Sequence, residues 1–86
     1  MARFIVESYG AESAVADQGH RAELAAQLGA GVLYIRTTIV PGDQTLLHLF
    51  EAPSADAVRE AVAAAQLESD RIVDVVETTP PAARLG

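Results

Sequence analysis

From Val32 to Val40 the chain is rich in β-branched and aromatic residues, breaks at Pro41-Gly42-Asp43, and resumes as an apolar run from Gln44 to Glu51. Such side chains suit a pleated surface and a Pro-Gly-Asp step turns the backbone, so the segment reads as a β-hairpin. A two-stranded hairpin is not stable alone in water. The flanking segments must therefore supply the rest of the core, and each offers a strand and a helix.

On the amino-terminal side, Arg3 to Glu7 alternates as a strand, with Phe4 and Val6 on one face and Ile5 and Glu7 on the other. Asp17 to Leu28 carries Leu24 and Leu28 four residues apart with Ala25 beside them, and Gly29 and Gly31 end this first helix; Gly19 weakens its start. On the other side, Pro53-Ser54 is an N-cap signal. Ala55 to Ala65 then gathers Val58, Ala61, Val62 and Ala65 on one face of a second helix. Arg71 to Glu77 is a last β-branched strand, and Thr79-Pro80-Pro81 stops it.

The order β-α-β-β-α-β predicts an α+β, ferredoxin-like sandwich over residues 1–78 with a tail at 79–86. Right-handed crossovers set both helices on one face of a four-stranded antiparallel sheet. The other face stays open, and Ile5, Tyr34, Leu46 and Phe50 are expected there. They would form an apolar patch of roughly several hundred Å², near the limit for a soluble monomer, so pairing of two copies into a dimeric α+β barrel is expected.

Composition narrows the partners. The chain has 86 residues, no cysteine and a formal charge of −6, which leaves room for one core and excludes disulfides and thiolate metal sites. The basic residues Arg3, Arg21, Arg36, Arg59, Arg71 and Arg84 are scattered, unlike the clustered charge that neutralises nucleic-acid phosphates. No segment approaches a membrane span, and the apolar run Phe4 to Val6 is too short for an export signal. A cytoplasmic protein with neither nucleic-acid nor membrane partners is expected.

Pairing Val40 with Gln44 keeps polar side chains off the core face of the hairpin best. That register sets Tyr34 opposite Phe50, Arg36 opposite His48 and Thr38 opposite Leu46, with Ile35 and Leu49 toward the helices. The first strand lies beside the third in this fold, so Glu7 is expected to approach His48. Glu7, His48, Arg36 and Tyr34 would then converge on the open face. A carboxylate, an imidazole, a guanidinium and a phenol are groups suited to proton transfer or anion orientation, and equally to fixing the register of a dimer. His20 has no partner at ligand spacing, Asp56, Arg59 and Glu60 read as a solvated helix face, and Ser13, Ser54 and Ser69 lack the context of a nucleophile.

Three segments carry a resemblance: Arg3-Phe4-Ile5-Val6-Glu7, Phe50-Glu51-Ala52-Pro53-Ser54 with Ala57-Val58-Arg59, and Asp70-Arg71-Ile72. Together they resemble small bacterial nickel-binding ferredoxin-like proteins over residues 3 to about 77. The resemblance implies a homodimer and a site for nickel or another divalent metal. Where that family often has a His on the second strand and a Cys on the third, this chain has Arg36 and His48. Arginine has no lone pair for a metal, which leaves His48, with Glu7 or a partner-chain group, as the ligand set.

Three functions follow as expectations. The first is a homodimeric binding protein holding a small molecule or divalent metal on the open face. The second is a cofactor-free enzyme of cyclase or isomerase type, with His48 moving the proton, Glu7 orienting it, Arg36 stabilising an oxyanion and Tyr34 assisting. The third is a dimerisation module without chemistry.

Overall fold

The computed structural model describes residues 1–10 and 15–76. Its elements are β1 (Ala2–Tyr9), α1 (Val15–Leu28), β2 (Leu33–Val40), a short 3-10 turn (Pro41–Asp43), β3 (Thr45–Ala52), α2 (Ala55–Ala65) and β4 (Arg71–Val75). The strands form one sheet in the order β2-β3-β1-β4, with every neighbouring pair antiparallel. This is the expected ferredoxin-like layout. Glu77, Thr79-Pro80-Pro81, the tail at 79–86 and Ser13 lie outside the described residues.

Local chemistry sets the helix ends. The Ser54 side chain accepts a hydrogen bond from the Ala57 backbone N–H at 3.2 Å, which satisfies a free donor of the first turn of α2. Gln66 closes α2 in the left-handed region at φ 56°. Gly29, just past α1, has no room for a side chain: a Cβ there would meet the Ala61 Cβ at 2.7 Å and the Val32 Cγ2 at 2.8 Å. The missing side chain lets the end of α1 approach α2 closely.

Both helices meet the sheet through small residues. Ala22 and Ala25 of α1, and Ala61 and Ala65 of α2, are buried with Val58 and Val62. Alanine keeps a helix close to the strands and leaves the bulk of the core to be filled from the sheet. Phe4 and Phe50, cross-strand partners on β1 and β3, fill that volume with Val6, and Tyr34 packs its ring 5.6 Å from that of Phe50.

That packing overturns one expectation. Phe50, Leu46 and Tyr34 do not lie on the open face: by strand alternation from Phe4 and Val6 they share the helix-facing side. Leu49 and Leu47 take the open side with Ile5 and Glu7. The helices need aromatic volume opposite their alanines, and this outweighs the polarity pattern that favoured the reverse orientation.

The register differs for a second reason. The link contains Gln44, held at φ 50° with its N–H donated to the Pro41 carbonyl at 3.2 Å, so Val40 pairs with Thr45 rather than Gln44. An irregularity at Ile35 then takes up the extra residue, and Tyr34 opposes Phe50 as expected. Between these two points every partner is displaced by one. Arg36 faces Leu49, Thr37 faces His48, Thr38 faces Leu47 and Ile39 faces Leu46.

Candidate functional site

The register shift separates the four residues expected to converge. His48 and Tyr34 point to the helix side, whereas Glu7 and Arg36 belong to the open side. Glu7 does not approach His48. Its Oε2 instead accepts from Arg71 Nε of β4 at 2.7 Å, a partner that the register aligns directly with it.

His48 is fully buried at 0 % exposure, in the middle of the sheet. Its Nδ1 lies 2.7 Å from the Thr37 hydroxyl, which in turn lies 2.6 Å from the Tyr34 hydroxyl. Its Nε2 lies 3.4 Å from the hydroxyl of buried Ser8. The result is a string of side chains, Tyr34, Thr37, His48 and Ser8, crossing from edge strand β2 through β3 to β1. Burial pushes the imidazole pKa down from 6.5 to about 4, so the ring is neutral at physiological pH. A neutral ring has one donor and one acceptor nitrogen, and each neighbouring hydroxyl can take either part. Every buried side-chain nitrogen and oxygen among the described residues is satisfied.

Thr37 and Ser8 were missed from the sequence. Ser8 continues the Phe4, Val6 alternation and was legible as an inward polar residue. Thr37 was not, because only the register displacement brings it to His48.

This arrangement tests the metal and acid–base expectations. Both ring nitrogens of His48 have hydroxyl partners, Glu7 is on the opposite face, and among the described residues no three His, Cys, Asp or Glu side chains are grouped. The pair His48 and Glu7 therefore does not fit a divalent ion within one chain. Nor is His48 placed to act as a catalytic base within this chain, because its ring nitrogens face the Thr37 and Ser8 hydroxyls and its ring does not reach solvent.

The open side is built differently. Ile5, Leu47, Leu49, Val73 and Val75 form its apolar floor, with Leu49 at 6 % exposure in the centre. Around them lie the ion pairs Arg3–Glu51 at 3.5 Å and Arg71–Glu7 at 2.7 Å, and exposed Arg36 stands on β2. A separate cleft of about 440 Å³ opens between α2 and the approach to β4, bounded by Arg59, Val62, Leu67 and Ile72. None of the four predicted site residues lines it.

No protein-family model and no curated protein matches the chain. Among solved structures it is similar to SCO4226 from Streptomyces coelicolor A3(2), known from a crystal structure, at 28% sequence identity and a TM-score of 0.70. The match covers 91% of this chain and 100% of that one. The likeness, together with the strand order, establishes this chain as a ferredoxin-like βαββαβ domain.

Proposed function

We propose that the chain is a small homodimeric binding protein in which two copies pair through their open sheet faces and enclose a ligand site between them. The observation that carries this reading is the apolar floor of Ile5, Leu47, Leu49, Val73 and Val75, over which neither α1 nor α2 packs. A patch of this kind, rimmed by charged residues, is characteristic of an association surface rather than of a monomer's exterior. The rim supports the same reading. Glu7 and Glu51 already hold arginine partners, so closing the face over them leaves neither of these carboxylates unpaired.

The acid–base reading draws less support. It requires His48 to meet a substrate, and His48 is enclosed on the helix side with its nitrogens committed to Thr37 and Ser8.

Sedimentation velocity on the wild-type chain is expected to give a species of twice the 9.0 kDa protomer mass. Leu47→Glu, which adds a charge to the floor without touching the helix-side core, is expected to yield a folded monomer by sedimentation and circular dichroism. A wild-type monomer across the micromolar range, or a Leu47→Glu variant that remains dimeric, would sink the pairing.

A further inference from the structure

The described arginines divide into two kinds. Arg3 pairs with Glu51 at 3.5 Å, Arg21 with Asp17 at 3.0 Å, Arg59 with Asp56 at 2.6 Å and Arg71 with Glu7 at 2.7 Å. Arg36 has no such partner: among the described residues no carboxylate lies within the 4.0 Å that defines these pairs. It stands on the open face, directly opposite Leu49 and beside the irregularity at Ile35. The extra residue there gives Arg36 an apolar partner in place of the polar one expected from the sequence.

A lone guanidinium over an apolar floor has a definite chemical consequence once a second copy covers the face. Drawing it out of water without a counter-charge costs on the order of several kcal/mol. The carboxylates nearest in the sheet order on that face, Glu51 and Glu7, are engaged by Arg3 and Arg71. With those two engaged, the open face offers Arg36 no further carboxylate among the described residues, and a molecule held between the sheets would supply the compensating charge. A guanidinium presents a planar fork of donors that matches a carboxylate or similar oxyanion through two parallel hydrogen bonds. Leu47 and Leu49 beside it call for an apolar body on the same molecule.

We propose that the shared cavity takes a small organic anion, a carboxylate or comparable oxyanion carried on an apolar body, with Arg36 as its anchor. The inference rests on the paired-sheet reading. Two-fold pairing sets one Arg36 from each copy against the enclosed space, so the cavity carries two such anchors.

The test uses the full chain and two probes, octanoate and 1-naphthoate, with octanamide as the uncharged counterpart of the first. Calorimetry and methyl chemical shifts report binding, and sedimentation at the same concentrations reports the dimer. At least one carboxylate is expected to bind saturably, with shifts at the Leu47, Leu49 and Val73 methyls, and at least tenfold more tightly than octanamide. Arg36→Gln is expected to lose that tenfold preference while remaining folded and dimeric, because Arg36 is exposed on an edge strand. Arg36→Lys, which keeps the charge and loses the fork, is expected to fall between them. A dimer that binds neither carboxylate, or binds them equally well as Arg36→Gln, overturns the anion site and leaves the pairing intact. A monomer overturns the pairing and the enclosed site with it.

Discussion

The two faces of this sheet handle polar groups in opposite ways. On the helix side, the neutral imidazole of His48 and the hydroxyls of Tyr34, Thr37 and Ser8 are linked in a string, and His48 is shut away from water. On the open side, beside the hydroxyl of Thr38, stand full charges. Arg3, Glu51, Glu7 and Arg71 are paired, and Arg36 stands apart. The difference follows from desolvation. A layer closed by helices tolerates only groups whose uncharged forms satisfy one another, whereas a face still in contact with water keeps ions at little cost. The helix side satisfies its buried polar groups within the chain, and the open side leaves Arg36 to solvent.

The contrast can be broken most forcefully at Phe50. If its ring fills the helix-side core, Phe50→Ala should cost about 3–5 kcal/mol in denaturant unfolding, enough to leave a domain of this size largely unfolded. A loss below about 1 kcal/mol would mean that Phe50 belongs to the open face after all.

A smaller and more specific effect is expected from His48. Its folded pKa of about 4 lies below the 6.5 of an unperturbed ring, so the unfolded chain takes up the proton first as the pH falls. Stability contributed by the neutral ring is complete above pH 6.5 and is lost as the pH falls toward 4. Between about pH 7.5 and 5 the loss should be about 2 kcal/mol. His48→Gln, although less stable overall, should show a flatter pH profile over that interval. Equal slopes in the two proteins would show that His48 is hydrated and does not belong to a closed layer.

The least effect is expected on the open side, at Glu7–Arg71. Arg71 remains 66% exposed and solvent screens the pair, so a double-mutant cycle with Glu7→Gln and Arg71→Gln should give a coupling below about 1 kcal/mol that shrinks with added salt. A coupling of several kcal/mol, insensitive to salt, would mean that this face is already dry in the protein as purified. That result would sharpen the contrast by showing that a second copy covers the pair.

The course of the chain was legible because its signals are local. The alternation of Phe4 and Val6, the Ser54 cap, the apolar face of Val58, Ala61, Val62 and Ala65, and the Pro-Gly-Asp turn each act within a few residues, and each reports on the element that contains it. The antiparallel neighbours then followed from element order and the handedness of crossovers. Tyr34 opposite Phe50 was also reached correctly, although by a register wrong everywhere between that pair and the turn.

The candidate site was not legible, and the reason is equally physical. A strand repeats every two residues, so one extra residue changes every partner and can exchange the faces. Gln44 in the left-handed region and the irregularity at Ile35 are two such displacements that cancel only at Tyr34. By itself the sequence determined a βαββαβ chain with both alanine-lined helices on one face of the sheet. Only the tertiary structure decided which face that is, because the choice lies in how aromatic volume fits against alanine across the core. The same packing put His48 inside with Thr37 and Ser8, and left Arg36 outside over Leu49.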